Sequence, residues 1–326
     1  MKSFLGRLAG AALLSLGISA SVSAANFPEK HITLVIGFTA GGPTDMVGRY
    51  VAAQLEKELG QTVIVENRTG ANGVVAVQMV KRKPPDGYTL MLGSSGTLSI
   101  EPVYKKRVDY DVLKDFTPVG LIANYPYLLV VPQNSPFKNV TELIESARRK
   151  PNSLSFASAG SGAVNHLAGE WFKSGTQTQI VHVPYKGDSA AVVDLIAGRI
   201  EMAFLSVIAA APQIKAGKLR ALGIAAAQPL SVAEGVPTIA QEANIKGFSA
   251  EPWNGILAPA GLPAEITSKL NAAINKIMST EEAKAKLLSM GQYPLTGSPE
   301  DFTNHIKTQT AHWSQVIEAA QIEKAD

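Results

Sequence analysis

Cysteine is absent from the 326 residues of this chain, and its absence excludes several classes of protein at once. Without a thiol the chain has no disulfide framework, no thiolate zinc or iron–sulfur site and no cysteine nucleophile. Charged residues are also scarce, at 17%, while 46% of the residues are hydrophobic. This composition opposes disorder, and the length allows about two domains with a sizeable core.

Long hydrophobic runs are missing too, and the apolar stretch over residues 8–18 is shorter than the ~20 residues that span a bilayer. Positive residues precede this stretch and the small residues 19–25 follow it, which is the pattern of a secretory signal peptide. Residues 1–25 are therefore predicted to be removed on export, and cleavage after Ala24 and after Ala25 both fit the pattern. No cysteine follows the signal, so we expect no lipid attachment.

A strong charge of either sign is lacking once the signal is removed. Loss of residues 1–25 takes away Lys2 and Arg7 and no acidic residue, so the net charge falls from +3 to +1. A near-neutral surface has no broad attraction for nucleic acid or for anionic lipid. We therefore expect an exported, soluble protein without a nucleic-acid partner.

What the mature chain does contain is a regular alternation of strand-like and helix-like segments. Residues 31–38 are rich in β-forming side chains, and after a glycine-rich turn residues 46–59 place apolar side chains at helical spacing. The same order recurs where the strand-like segment 154–157 is followed by a second glycine-rich turn and the helical segment 163–174. The alternation predicts an α/β fold with mostly parallel sheets covered by helices.

The pattern divides the mature chain into two α/β lobes. Lobe 1 is predicted over residues 26–123 together with 228–326, and lobe 2 over residues 124–227. Proline-containing segments at 124–126 and 226–229 would join the lobes twice. Two open lobes with a double crossing leave a cleft between them, and the crossings act as the hinge.

The two glycine-rich turns, 38–42 and 158–162, are the strongest candidates for a binding site. Each leads from a strand into a helix whose first N–H groups are unpaired and carry about +0.5 of a charge. One turn per lobe would face the cleft at the carboxyl ends of the strands, where open α/β sheets bind ligands. Neither turn has the spacing of a phosphate loop or a dinucleotide fingerprint, which favours a small carboxylate over a nucleotide.

Recognisable catalytic motifs are absent. The chain has no G-x-S-x-G pentapeptide, and His31, His305 and His312 form no ligand spacing with an acidic neighbour, so no catalytic residue and no metal site are predicted. His166 and His182 are the best candidates for a base, and Asp45 is expected to interact with the N-terminus of its own helix. The alternative function that stays open is an exported α/β enzyme acting on a small acid.

Three long segments carry a more specific signal, and further matching pieces cover essentially the whole mature chain in order. The segments are FTAGGPTDMVGR (38–49), LSFASAGSGAVNHLAGEWF (154–172) and VHVPYKGDSAAVVDLIAGRIEMAF (181–204). They resemble the Bug family, the periplasmic solute receptors of tripartite tricarboxylate transporters. The resemblance implies a two-lobed type II periplasmic-binding-protein fold, hinged by two crossings, that closes on its solute.

The same resemblance implies the working partners of the protein. It predicts a periplasmic receptor, monomeric and without catalysis or cofactor, that delivers a small carboxylic acid to the membrane subunits of the transporter. A receptor that reports its occupancy to a sensor protein has the same sequence pattern, so uptake and sensing both stay open.

The resemblance also implies which residues contact the solute. Receptors of this kind hold one ligand carboxylate through the first strand–helix turn and the Ser-Ala-Gly-x-Gly turn, with bridging waters. The predicted ligand-binding residues are Phe38, Thr39, Ala40, Gly41, Gly42, Thr44, Asp45, Ser94, Ser158, Ala159, Gly160, Ser161, His166, Tyr185, Lys186, Ser206 and Trp253.

Two departures from the family pattern leave the identity of the solute open. Where members of the family often carry Asp or Asn after the Met-Phe strand, this chain has Leu205-Ser206. Where Ser-x-Trp is frequent, it has Glu251-Pro252-Trp253.

The first testable expectation concerns the mature N-terminus. Because small residues precede both cleavage points, the exported protein should begin at Ala25 or Asn26. Edman sequencing or intact mass of the exported fraction measures this directly. A secreted chain that retains residues 1–20 would contradict the signal-peptide interpretation.

Overall fold

The computed structural model describes residues 26–326. The predicted signal peptide, residues 1–25, lies outside this range. Within residues 26–326 no helix is both long enough and apolar enough to cross a membrane.

The first sheet is mixed. Its strands are β1 (Ile32–Ile36), β2 (Val63–Asn67), β3 (Thr89–Ser94), β4 (Phe116–Asn124), β10 (Trp253–Pro259) and β11 (Tyr293–Pro294). Their order is β11-β4-β10-β3-β1-β2. β1 pairs in parallel with β2 and β3, whereas β10 lies antiparallel between β3 and β4.

The second sheet repeats this plan. Its strands are β5 (Tyr127–Pro132), β6 (Ser155–Ser158), β7 (Val181–Pro184), β8 (Met202–Ser206) and β9 (Leu219–Ile224), in the order β7-β6-β8-β5-β9. β6 pairs in parallel with β7 and β8, and β5 lies antiparallel between β8 and β9. In each sheet, therefore, the strand that follows a crossing from the other sheet is inserted in the reverse direction.

Helices cover the sheets and supply the other half of each core. In chain order they are α1 (Pro43–Leu59), α2 (Val74–Val80), α3 (Glu101–Tyr104), α4 (Val112–Asp115), α5 (Val140–Arg149), α6 (Val164–Thr176), α7 (Asp188–Ile196), α8 (Val207–Lys215), α9 (Ile239–Glu242), α10 (Ala264–Met278), α11 (Glu281–Ser289) and α12 (Pro299–Ala319). In α1, for example, Val47, Val51 and Leu55 recur every four residues and are fully buried. This spacing gives the helix one apolar face that packs against the first sheet.

The chain passes between the two sheets twice. It leaves the first sheet after Asn124 and enters the second at Tyr127, and it returns between Ile224 and Trp253. The returning segment stays with the second sheet for some distance, since Ile239 and Phe248 are buried in the same cluster as β8. The predicted lobe boundary at residue 228 stays a prediction, and this packing favours a boundary closer to residue 251.

The C-terminal helix α12 packs against both cores. It begins with a capping box, in which Ser298 and Asp301 exchange side-chain and backbone hydrogen bonds. Its first half buries Phe302 in a cluster with the first sheet. Its second half buries Trp313 in the cluster that contains α6 and the second sheet. The helix is therefore a third structural link between the two sheets.

The contact between β10 and α12 generates a stability prediction. A Cβ added to Gly255 would lie 2.2 Å from Cζ of the fully buried Phe302 ring. Because overpacking a core costs about 1–3 kcal/mol, Gly255→Ala should lower the free energy of unfolding by this amount. Urea denaturation of Gly255→Ala, Phe302→Leu and the double variant measures it. The double variant should lose less than the sum of the single losses, and strict additivity would show that the contact is not the cause.

Candidate ligand-binding site

The first glycine-rich turn connects β1 to the N-terminus of α1. Thr39, Ala40 and Gly41 are exposed at its tip, and Gly41 has a φ of +83°, a conformation that favours glycine. Gly42 precedes the helix, and no side chain caps its N-terminus. The N–H groups that begin α1 therefore lie next to an accessible backbone turn.

A hydrogen-bond network centred on the buried Asp45 carboxylate holds this turn in place. Asp45 accepts hydrogen bonds from the Gly41 N–H at 2.9 Å, from Arg49 Nε at 3.0 Å and from Asn67 Nδ2 at 2.8 Å. Burial alone would raise the pKa of Asp45, but these bonds outweigh it and lower the pKa below its ordinary value. Asn67 Nδ2 also donates to the Phe38 carbonyl at 2.9 Å. The negative charge of Asp45 is therefore paired with the positive charge of Arg49 within lobe 1.

The second glycine-rich turn connects β6 to the N-terminus of α6. Gly160 and Gly162 have φ values of +137° and +81°, and Ser161 is exposed between them. A Cβ at Gly162 would lie 2.9 Å from the Tyr104 ring, so only glycine fits where the turn meets α3. Asn72 Nδ2, from the short turn before α2, donates to the Gly162 carbonyl at 3.5 Å.

This turn also has a buried support. The side chain of Asn165 is fully buried and accepts from the Ala159 N–H at 3.1 Å. Its Nδ2 donates to Asp188 Oδ1 at 3.2 Å and to the Phe204 carbonyl at 3.1 Å. Asp188 Oδ2 in turn accepts from the N–H and the hydroxyl of Ser206, at 3.1 and 2.6 Å. The turn, α7 and the end of β8 are therefore joined by one network.

Asp188 lies close enough to Tyr125, a residue of the first crossing, for its charge to act on that phenol. Burial raises the pKa of the Asp188 carboxyl, against the hydrogen bonds from Ser206 and Asn165. Burial and the charge of Asp188 also raise the pKa of Tyr125. The Tyr125 N–H donates to the Pro252 carbonyl at 2.9 Å, so the first crossing is bonded to the returning segment of the chain.

Two stacked histidines lie under the second turn. The rings of His166 and His182 have centroids 4.0 Å apart. His166 Nδ1 accepts from the Gly162 N–H at 3.1 Å, and His182 Nε2 lies 2.7 Å from the Ser158 hydroxyl. Burial lowers the pKa of His166 to about 3 and that of His182 to about 4. Both rings are therefore neutral at neutral pH.

His166, Glu170 and His182 place one ligand atom each within 4.8 Å of one another, a grouping that the sequence spacing did not predict. Their remaining contacts do not suit a metal ion. Because the Gly162 N–H occupies Nδ1 of His166, the neutral ring carries its proton on Nε2, the nitrogen nearest Glu170. Lys173 Nζ donates to both oxygens of Glu170, at 2.9 and 2.7 Å.

The other predicted site residues are dispersed around the turns. The Tyr185 hydroxyl donates to Asp194, Lys186 is exposed, and the Ser94 hydroxyl lies 3.4 Å from that of Thr97. Trp253 is 1% exposed and packs its ring against Phe302.

The residue after Trp253 contacts the start of α1. Successive side chains of a strand point to opposite faces, so Trp253 and Asn254 face different sides of β10. Asn254 Nδ2 donates to Thr44 Oγ1 at 3.2 Å, next to the start of α1, while Asn254 Oδ1 is buried without a partner among the described residues. Gln292 Nε2 donates to the carbonyl of Pro43, the residue before Thr44, at 3.0 Å.

Comparison with known proteins places this geometry in a family. Residues 47–322 match the model of the tripartite tricarboxylate transporter family receptor. Protein BugT of Bordetella pertussis is 32% identical over 309 residues, which cover 94% of each chain.

Solved structures agree with this assignment. The R. palustris protein Rpa4515, solved with adipate, has a TM-score of 0.87 at 34% identity, over 91% of this chain and 99% of that one. MatC from Rhodopseudomonas palustris, with bound malate, has a TM-score of 0.81 at 31% identity, over 89% of this chain and 100% of that one. The expected two-lobed periplasmic-binding-protein fold is confirmed, and the chain belongs to the receptor family of the tripartite tricarboxylate transporters.

Proposed function

We propose that this protein captures a small carboxylic acid in the cleft between its lobes and delivers it to the membrane subunits of a tripartite tricarboxylate transporter. The observation that carries the proposal is the pair of turns. Each turn has an exposed tip, each begins a helix, and in each a backbone N–H donates to a buried side chain, Asp45 or Asn165. Two helix N-termini with free N–H groups favour one anionic group between them.

The bound acids of the relatives support a carboxylate as the ligand. Rpa4515 was solved with adipate and MatC with malate, both small dicarboxylic acids. Adipate and malate are therefore the probes with which to begin. The predicted contacts of Thr39 to Gly42 and of Ser161 are backbone or hydroxyl donors, which suit a carboxylate oxygen.

A receptor without catalysis is favoured over an exported enzyme by the environment of Ser158. Its hydroxyl lies 2.7 Å from His182 Nε2, the arrangement that an activated serine nucleophile requires. However, the Ser158 residue is fully buried, and its hydroxyl also contacts the N–H and the carbonyl of Gly160 at 3.2 Å. A hydroxyl enclosed in its own turn supports the backbone and cannot attack a substrate.

The remaining parts of the proposal concern the protein in the cell. Residues 1–25 direct export and are removed, and the mature receptor works in the periplasm as a monomer without lipid anchor, cofactor or nucleic-acid partner. Residues 26–123 and 228–326, apart from the segment 238–250, move as lobe 1, and residues 124–227 move with that segment as lobe 2. Growth on the bound acid after deletion of the transporter subunits separates uptake from sensing.

The proposal is tested by comparing each acid with its uncharged diamide. Calorimetric titration should show binding of adipate or malate, and the diamide of that acid should bind at least about tenfold more weakly, because a charge-assisted hydrogen bond contributes roughly 1.5–3 kcal/mol. An amide that binds as tightly as the acid would rule out an anion site. An incubation with the bound acid that yields a product would favour the enzyme.

A graded substitution at the first turn tests the place of binding. Gly42 has a φ of −79°, and an added Cβ would meet no atom closer than the Thr39 carbonyl oxygen at 3.6 Å, so the fold tolerates a side chain there. Gly42→Ala should weaken binding mildly and Gly42→Val by about tenfold to several thousandfold, because valine blocks one or two N–H donors. Equal thermal stability of the variants is the control. Unchanged affinity in Gly42→Val would show that the ligand does not bind at this turn.

The neutral histidines lead to a prediction about pH. Because the pKa values of His166 and His182 lie at about 3 and about 4, neither ring becomes cationic between pH 8 and 6. The Kd of the acid should therefore stay constant over this range. If binding required an imidazolium with an ordinary pKa of ~6.5, the affinity would instead rise about twentyfold from pH 8 to pH 6. Such a rise in affinity would show that the donors are not all neutral.

The same pKa values fix the sign of the effect on stability. The unfolded chain takes up protons on its histidines near pH 6.5, before the folded protein does. The contribution of the two neutral histidines to the free energy of unfolding is therefore complete above pH 6.5 and is lost as the pH falls toward 4. Urea denaturation at pH 7.5, 6 and 5 should show this decline.

A further inference from the structure

The two turns are each supported by one aspartate and one asparagine, and the two residue types are exchanged between the lobes. In lobe 1 the acid, Asp45, lies in the first turn of the helix and the amide, Asn67, ends the neighbouring strand β2. In lobe 2 the amide, Asn165, lies in the first turn of the helix, and the acid, Asp188, follows the neighbouring strand β7.

The hydrogen bonds of the two pairs correspond. In each lobe the helical side chain accepts one N–H of the turn, from Gly41 at 2.9 Å or from Ala159 at 3.1 Å. In each lobe the asparagine Nδ2 donates both to the aspartate and to a backbone carbonyl at the end of a strand or turn. The same three connections therefore recur although the sequence positions of acid and amide are reversed.

The two side chains that bond the turns, Asp45 and Asn165, act on a ligand through the turn and not by contact. Asn165 is fully buried and Asp45 is 2% exposed. In the second turn, hydrogen bonds use the N–H groups of Ala159, Gly160 and Gly162. Among the bonds of the described residues, the N–H groups of Ser161 and Val164 have no acceptor, so they remain available to a bound anion.

We propose that Asn165 and Asp188 are positioning residues of the binding site, the counterpart in lobe 2 of Asp45 and Asn67. By holding Ala159 and the end of β8, they direct the Ser161 and Val164 N–H groups at the ligand carboxylate. This inference rests on the proposed function.

An exchange of the two residue types tests the proposal. Asn165→Asp sets two carboxylates against each other and removes the donor to the Phe204 carbonyl. Asp188→Asn removes the acid that the Asn165 amide and Ser206 donate to. The double variant restores one acid and one amide, in the arrangement that lobe 1 already uses.

Calorimetric titration with adipate and malate gives the first readout. Asn165→Asp should bind about tenfold to a hundredfold more weakly than the unmodified protein, Asp188→Asn should also be weakened, and the double variant should return to within about threefold. The matched control is Asn139→Ala, since Asn139 accepts the Glu142 N–H at the start of α5 in the same lobe, away from the turns. It should lose stability but bind normally. A double variant no better than Asn165→Asp would overturn the proposal.

Amide hydrogen exchange gives a second readout that needs no ligand. The Ala159 N–H should be protected in the unmodified protein and exchange about tenfold faster in Asn165→Ala, because its acceptor is lost. The Ser155 N–H begins β6, the strand that leads into the turn, and donates to the side chain of Glu201, so it should stay protected in both proteins. Equal exchange of Ala159 in the two proteins would show that Asn165 does not hold the turn.

The two readouts separate this inference from the proposed function. If the unmodified protein binds neither acid, the proposed ligand class fails, and exchange at Ala159 still decides whether the pair holds the turn. If it binds an acid and Asn165→Asp binds equally well, the positioning role fails and the proposed function stands.

Discussion

Backbone N–H groups at the ends of two helices must be held in place and yet remain free to bind, and much of the structure serves this constraint. A flexible glycine-rich turn alone would pay an entropic cost each time it ordered around a ligand. In this protein the Gly41 N–H is bonded to Asp45 and the Ala159 N–H to Asn165, and both side chains are buried. In the second turn the N–H groups of Gly160 and Gly162 are bonded as well, while that of Ser161 has no acceptor among the described residues. The glycines provide the conformation, and the Asp–Asn pairs provide the rigidity.

In the proposed site the donors of both turns are neutral, and the predicted contact residue that carries a positive charge is the exposed Lys186. Arg49 lies close to the first turn, but it is the partner of Asp45, and the two histidines under the second turn are neutral. Neutral dipoles attract a carboxylate less strongly than an ion pair does, and they leave no uncompensated charge when the site is empty. For a receptor that must also release its solute, such a site combines recognition with reversibility.

The sequence predicted the features that are local. The alternation of strands and helices, the two glycine-rich turns and the helices that follow them could all be read from residue patterns. The strands β4 and β10 were not predicted, because Pro118 and Gly120 interrupt the apolar pattern of β4 and Trp253 was considered only as a residue that contacts the solute. Both strands form antiparallel pairs with distant parts of the chain, which a local pattern does not show.

The supporting residues of the site were missed for a similar reason. Asn165 and Asp188 each have a plain local explanation as polar residues near a helix start. Their role depends on a hydrogen bond across 23 positions of sequence, and that of Asn67 and Asp45 on one across 22. Asn254 was overlooked beside Trp253 because only the pairing of β10 fixes which of the two side chains faces α1.

The segments that link the lobes determine how the lobes can move relative to each other around the proposed site. Two crossings and α12 connect the lobes, and α12 is anchored by Phe302 on one core and by Trp313 on the other. A rigid helix fixed at both ends opposes wide separation of the lobes and favours rotation about the crossings. Tyr125 lies in the first crossing, and its N–H donates to the carbonyl of Pro252, at the end of the returning segment, at 2.9 Å. The two crossings are therefore bonded to each other, and rotation about them moves the N-termini of α1 and α6 relative to each other.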